Sequence, residues 1–215
     1  MKYFLSLVVV AFALSASAQD STKNFKPSKG DFNTEVNFKP FGSNPISLSY
    51  LRFRYFFADN LAVRIGGLYT SNTNEPDEST KSKTSFFNFR PGIEYHYKGS
   101  NKLSPYIGFE LDFATRTSKF EISGPISNPI TVDNATDTNG SNRAFNRIGF
   151  NFVLGADFYI APKIYFGTEF GYGFQQTNFL KIIQTSNANT IEAPESITKD
   201  FGLNFNSAIR LGYIF

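Results

Sequence analysis

The stretch FNFRPGIEYHY, residues 87–97, decides the fold. Its odd-numbered residues, such as Phe87 and Tyr95, are apolar or aromatic, apart from the conformationally restricted proline. Its even-numbered residues, such as Arg90 and Glu94, are charged, polar or glycine. Because successive side chains point to opposite faces of a β-strand, the stretch predicts a strand with one apolar face and one charged face.

The same period-two alternation recurs along the rest of the chain and gives eight predicted strands. The predicted strands are Gly30–Phe41, Ile46–Phe57, Leu61–Ser71, Thr84–Tyr97, Ser104–Thr117, Ala144–Ile160, Lys163–Gln176 and Asp200–Phe215. A content of 26 Phe and 11 Tyr, with no helical periodicity, also favours strands. The predicted fold class is therefore all-β.

The connections between these strands alternate short and long after the first one. They are Ala58–Asn60, Asn72–Lys83, Lys98–Leu103, Ser118–Arg143, Ala161–Pro162 and Thr177–Lys199. Tight turns on one rim and long loops on the other are typical of transmembrane barrels. With both termini on the turn rim the strand number is even, so we predict an eight-stranded antiparallel up-and-down transmembrane β-barrel.

The N-terminus has the pattern of an export signal. Lys2 precedes an apolar run, residues 4–14, and Ala16-Ser17-Ala18 has the form of a cleavage site. A run of about 11 residues is too short for a membrane-spanning helix, which needs roughly 20. The predicted organisation is a signal peptide at 1–18, a polar periplasmic lead at 19–29 and a barrel at 30–215.

Composition excludes several classes of site. The chain has no Cys, which rules out disulfides, thiolate metal ligands and a cysteine nucleophile. Its net charge of +3 is small and scattered, so no nucleic-acid surface is expected. A length of 215 residues suits one domain of ordinary size.

The charged faces of the strands are expected to fill the barrel, because an eight-stranded interior is just wide enough for side chains. The alternation assigns six acids and six arginines to an interior charge network. These residues are Glu35, Arg52, Arg54, Arg64, Arg90, Glu94, Glu110, Asp112, Arg116, Asp157, Glu169 and Arg210. Because the acids and arginines are equal in number, we predict that they fill the barrel with salt bridges. The first interpretation is that this network stabilises the barrel, and the alternative is a gated ion path.

Registers set by the short turns predict particular contacts in this network. Arg90 is expected opposite Asp112, with Glu110 diagonal to it. Glu169 is expected beside Arg210, and Glu35 near Arg52. Arg54 and Arg64 would then be like charges across a tight turn, each needing an acid from further round the wall.

Catalysis and metal binding find little support in the sequence. His96 is the single histidine. Its even residue number places it on the charged, inward face of its strand, between outward-facing Tyr95 and Tyr97. Carboxylates paired with arginine stay ionised and make poor proton donors. We therefore expect no catalytic residue, no metal site and no cofactor.

The two longest loops carry apolar residues for which two interpretations stay open. The residues are Phe120, Ile122, Ile126, Ile130, Val132, Phe179, Leu180, Ile182 and Ile183. In one interpretation the strands continue above the bilayer as a twisted rim. In the other these residues form a binding surface for another protein.

The export signal, the alternating segments and the terminal LGYIF, residues 211–215, together resemble the outer-membrane β-barrel domain family. OmpA-type, OmpX-type and PorT-like small barrels are similar in architecture. The resemblance implies location in the bacterial outer membrane. It also implies that Leu211, Tyr213 and Phe215 form the C-terminal signal read by the barrel-assembly machinery.

Four functional hypotheses follow. The first is a non-enzymatic, monomeric barrel with a structural or binding role, whose partners are membrane lipid, the assembly machinery and an extracellular or envelope protein. The second is a small outer-membrane enzyme acting on lipid, and the third a narrow ion or solute pore. The fourth is a soluble periplasmic barrel.

Overall fold

The computed structural model describes residues 25–38, 46–123, 129–187, 189–205 and 209–215. These residues form twelve strands in one sheet, and every strand pairing is antiparallel. The strands are β1 (Phe32–Phe38), β2 (Ile46–Ala58), β3 (Leu61–Asn74), β4 (Thr80–His96), β5 (Leu103–Ile122), β6 (Ile130–Asp133), β7 (Phe145–Ala161), β8 (Ile164–Phe179), β9 (Ile182–Ser186), β10 (Asn189–Ala193), β11 (Ser196–Phe205) and β12 (Ile209–Ile214).

The pairings close into a barrel. From β1 the sheet runs through β2, β3, β4 and β5 to β7 and β8, and β12 then joins β8 back to β1. β11 and β12 lie along successive parts of β8, with β11 opposite Phe170–Phe179 and β12 opposite Ile164–Gly167. Because the barrel is closed, the backbone N–H and C=O groups of each wall strand have partners on both sides. The edge strands of an open sheet lack partners on one side.

The described residues thus form twelve strands where the sequence predicted eight. The predicted last strand is two strands, β11 and β12, and three short strands occupy the predicted long loops. β6 pairs with β5, β9 with β6 and β10 with β9, so they extend the sheet away from the barrel wall. β4 and β5 also run further than predicted, because the two strands stay paired into the predicted loops, as far as Thr80 opposite Ile122.

Apolar side chains cover the outside of the barrel and charged side chains fill it. Phe152 and Leu154 are 60% and 62% exposed, whereas Arg54, Arg64 and Arg210 are each 1% exposed. A water-soluble barrel has the opposite arrangement, because burying apolar surface drives its folding. This orientation suits a wall surrounded by acyl chains.

The two ends of the barrel differ. At the turn end, where short turns join β2–β3, β4–β5 and β7–β8, Tyr159, Tyr165 and Ile214 form a buried apolar cluster against which Phe25 packs. The opposite end, with the long connections, is called the loop end below. Residues 1–24, which hold the predicted signal peptide and half of the lead, lie outside the described residues. In the part of the chain that is described, no helix has the length and apolar character to cross a membrane.

Candidate functional site: the charged interior

Two arginines from neighbouring strands lie at the centre of the interior. Arg54 on β2 lies 2.5 Å from Asp157, 2.9 Å from Glu94 and 3.1 Å from Glu35. Arg64 on β3 lies 2.7 Å from Glu94, as close as an ideal charge-assisted hydrogen bond. The acids that the sequence required from further round the wall are thus Asp157, on β7, and Glu169, on β8, which lies 3.2 Å from Arg64.

Glu169 joins the remaining arginines to this centre. It lies 2.7 Å from Arg52 and 3.8 Å from Arg210. Glu35 on β1 makes a similar bridge, 3.1 Å from Arg52 and 2.8 Å from Arg210. The pairs expected from the strand registers are therefore in contact, and the barrel's closure adds partners that no single hairpin supplies.

Two buried tyrosines take part in the network, and the sequence analysis did not include them. The Tyr106 hydroxyl donates to Glu169 at 2.9 Å and accepts from Arg210 at 2.6 Å. The Tyr165 hydroxyl donates to Glu35 at 2.8 Å. The signal was available, since Tyr106 has the same even parity on β5 as the predicted interior acids of that strand.

A second cluster, nearer the loop end, is centred on Asp112. Its carboxylate lies 3.3 Å from Arg90 and 3.2 Å from Arg147, and it accepts a hydrogen bond from Asn88 at 2.5 Å. Arg90 is also 3.9 Å from Glu110. Arg147 was missing from the predicted network, although its odd parity on β7 matches that of Asp157.

Arg116 corrects the predicted network. Among the described residues it makes no ion pair, and its guanidinium instead lies over the rings of Phe145 and Phe86, at 4.9 and 5.9 Å. The strand register explains this, because Arg116 lies directly opposite both of these phenylalanines, on β7 and β4. The expected one-to-one matching of acids and arginines is therefore wrong, and Arg147 takes the ion-pair position.

His96 lies inside the turn end of the barrel. Its ring nitrogens lie 3.0 Å from the Ser104 hydroxyl and 3.1 Å from Glu94, and its ring stacks on Tyr106 with centroids 5.0 Å apart. It borders a cavity of about 350 Å³ that Lys26 and Lys98 also line. Within the described ranges no group of three or more His, Asp or Glu side chains is arranged to hold a metal ion.

The predicted apolar loop surface is largely built into strands. Phe120 pairs with Val132 between β5 and β6, and Val132 is fully buried. The other described members are intermediate in exposure, and Ile126 lies outside the described residues. The structure agrees with the first interpretation, in which the strands continue into the long connections. The described apolar residues of the predicted surface do not form an exposed patch.

The C-terminal residues occupy the outer face of β12 and the position after it. Leu211, Tyr213 and Phe215 alternate with inward Arg210 and Ile214. The Tyr213 and Phe215 rings meet edge to face with centroids 4.9 Å apart. This arrangement leaves an aromatic edge beside β1, where Phe32 lies 6.1 Å from Phe215.

An antiparallel barrel with an apolar exterior and a salt-bridged interior defines the class of outer-membrane barrel proteins. The model of one such family, the outer membrane protein beta-barrel domain, matches residues 4–206. The chain belongs to this family, and its location is the bacterial outer membrane. A soluble periplasmic barrel is thereby excluded.

Opacity proteins are similar to this chain at low sequence identity. Opacity protein opA56 of Neisseria gonorrhoeae is 25% identical over 151 residues, which are 62% of this chain and 64% of that protein. Opacity protein opA55 of the same organism is 24% identical over 151 residues, again 62% of this chain and 64% of that protein. The chain thus spans less than two thirds of these relatives.

Two solved structures align with most of this chain. The solid-state NMR structure of AlkL in lipid bilayers has a TM-score of 0.50 at 14% identity, covering 92% of this chain and 94% of that one. OprG from Pseudomonas aeruginosa has a TM-score of 0.48 at 16% identity, covering 89% and 98%. At these identities the likeness concerns the fold alone.

Proposed function

We propose that this protein is a non-enzymatic, monomeric barrel with a filled interior, which acts structurally or by binding a partner at its loop end. In this proposal the membrane wall has eight positions, with β11 and β12 forming one of them. The loop end faces the cell exterior. The protein is not a general porin.

The observation that carries the proposal is the ion-pair network across the barrel. Arg54 and Arg64 reach from β2 and β3 to acids on β7 and β8, on the far side of the wall. Their side chains are 0% exposed, and the acids they bind are no more than 8% exposed. Side chains packed and paired in this way occupy the space that a diffusion channel requires.

Conductance tests the filled interior. Purified protein in planar lipid bilayers should show no stable, porin-like conductance, whereas a known porin in the same bilayers supplies the positive control. The outcome also decides the narrow-pore alternative. Reproducible single-channel steps would contradict a closed lumen.

Binding at the loop end is supported by the small sheet of β6, β9 and β10, which projects from β5 beyond the barrel wall. Replacing the tip of the 118–143 connection or of the 177–199 connection with short Gly-Ser links should leave the barrel folded. The measurement is heat-modifiable migration in gels. Loss of the folded band in both variants would assign these segments to folding rather than to binding.

The lipid-enzyme alternative requires a base that reaches lipid, and His96 is turned inward against Glu94 and Ser104. The change His96→Ala should therefore leave the lipid composition of the outer membrane unchanged, as measured by mass spectrometry. An altered acyl or headgroup profile in cells carrying the variant would favour the enzyme.

Export and assembly complete the proposal. We expect cleavage after Ala18, so N-terminal sequencing of the protein from membranes should begin at Gln19. The barrel-assembly machinery is expected to read Leu211, Tyr213 and Phe215. Removing Phe215 should lower the amount of folded protein in the outer membrane, and an unchanged amount would dismiss the signal.

A further inference from the structure

Three arginines converge in the barrel near its loop end. Arg90, Arg116 and Arg147 come from β4, β5 and β7, and the parity of each strand turns them inward. The side chains of Arg90 and Arg147 are 26% and 18% exposed, against at most 3% for the arginines deeper in the barrel. This mouth is therefore open to solutes from the loop end.

The acids of this mouth pair with two of its three arginines. Arg90 and Arg147 share Asp112, while Arg116 has no ion-pair partner among the described residues. The acid nearest to this group on β11 is Asp200, which lines a cavity of about 140 Å³ together with Asp112. Glu110 also lies 3.9 Å from Arg90, so the acids in the described part of the mouth face Arg90 and Arg147 and leave Arg116 without an ion pair. A partly enclosed, unneutralised guanidinium favours an anion.

Aromatic rings lie against the third arginine, Arg116. The Arg116 guanidinium lies over Phe145 and Phe86, and Arg147 lies 5.9 Å from the same Phe145 ring. These contacts restrain the Arg116 side chain, whose guanidinium makes no ion pair and no hydrogen bond among the described residues. A planar fork of donors matches the two oxygens of a carboxylate.

We propose that this mouth binds one carboxylate group of a small extracellular molecule, with Arg116 as the principal ligand and Arg147 beside it. The neighbouring arginine at the rim does not compete for this role. Arg143 is engaged with the backbone, since its guanidinium donates to the carbonyl oxygens of Leu180, at 2.7 Å, and Pro194.

The test uses the full-length folded protein in detergent micelles, titrated with propionate and with its neutral counterpart propionamide and followed by saturation-transfer NMR. Propionate should bind saturably and propionamide should not. The change Arg116→Gln should raise the Kd for propionate at least tenfold. The change Arg116→Lys keeps the charge but loses the fork and should give a smaller rise.

A matched control removes a lysine from the outer face of the same region. Lys83 on β4 is exposed, so Lys83→Gln loses one positive charge at the loop end without touching the mouth and should leave the Kd unchanged. Folding of each variant is checked by heat-modifiable migration, and Arg116→Lys carries the decision if Arg116→Gln does not fold. Equal affinities for both ligands, no saturable propionate binding, or an equal loss in Lys83→Gln would each overturn the proposal.

Discussion

At the scale of single residues, the interior depends on carboxylates that each serve several arginines. Glu169 contacts Arg52, Arg64 and Arg210 and also accepts from Tyr106. Such sharing follows from burial, because a charge removed from water is stable only with several close partners. Removing one carboxylate therefore takes an ion-pair partner from more than one arginine.

The change Glu169→Gln should destabilise the folded barrel by about 3–5 kcal/mol, the usual cost of breaking a buried ion pair. Urea unfolding in detergent micelles measures the free energy. The control is Glu75→Gln, which breaks the exposed 2.6 Å pair with Lys81 and should cost far less than Glu169→Gln, because water and salt screen an exposed pair. Similar losses in the two variants would contradict a buried, cooperative network.

A pH effect is expected in the loop that contains Asp137. Its carboxylate accepts hydrogen bonds from the backbone N–H groups of Asn139 and Ser141, both at 2.9 Å. A hydrogen bond from the Ser141 side chain is the largest contributor, and together with the backbone bonds it holds the pKa of Asp137 below its usual value. The stabilisation is therefore present at neutral pH and is lost as the pH falls through the lowered pKa.

Amide hydrogen exchange of Ser141 measures this effect. After correction for the intrinsic pH dependence, its protection should drop in acid, and Asp137→Asn should lower it already at neutral pH. Protection that stays constant from neutral pH to below the ordinary range of aspartate would show that the carboxylate does not hold this turn.

At the scale of strands, close packing across the barrel depends on glycine. Tyr106 on β5 lies against Gly155, its partner on β7, and the ring occupies the space that a β-carbon at Gly155 would need. Tyr165 lies against Gly212 in the same way. The glycines thus allow two buried tyrosines to reach the acids that they bind.

The change Gly155→Ala should destabilise the barrel by about 1–3 kcal/mol, since the methyl group displaces a packed ring and its two hydrogen bonds. The control is Gly202→Ala on β11, where no atom lies within 4 Å of the added carbon. Thermal or urea unfolding compares the two. An equal effect at both positions would mean that strand propensity, and not contact with Tyr106, decides the outcome.

At the scale of the whole molecule, the outer surface has two parts, the barrel wall that faces lipid and the loop end that faces water. Leu154 on β7 and Ile191 on β10 are almost equally exposed, at 62% and 66%. Leu154 lies on the wall among other large apolar side chains, whereas Ile191 lies on the sheet that projects beyond β5. Equal exposure therefore has different meanings in lipid and in water.

The change Leu154→Arg should destabilise the protein by about 2–4 kcal/mol in lipid bilayers, the cost of arginine near the midplane of a barrel. The change Ile191→Arg should stay within about 0.5 kcal/mol, as for an ordinary exposed position. Unfolding in lipid vesicles measures both. A harmless Leu154→Arg would contradict a lipid-facing wall.

The sequence determined the all-β class, the inward and outward faces and most of the interior charges. Local chemistry suffices for these, because strand parity fixes which side chains share a face and short turns fix the register of neighbours such as Arg90 and Asp112. The sequence predicted a continuation of strands in these connections as one of two interpretations, but not the separate strands β6, β9 and β10, since segments of four or five residues are too short for alternation to identify. Their formation depends on a ladder supplied by β5.

Only the tertiary structure decided which charges meet across the barrel. Arg54 finds Asp157, 103 residues away, because closure brings β2 opposite β7, and no local register contains that information. The pairing of β5 with β4 and β7 placed Arg116 between two phenylalanines, and its expected ion-pair position is taken by Arg147. Period two assigns a residue to the interior, but its partner depends on strand tilt and on the curvature of the wall, which are properties of the closed sheet.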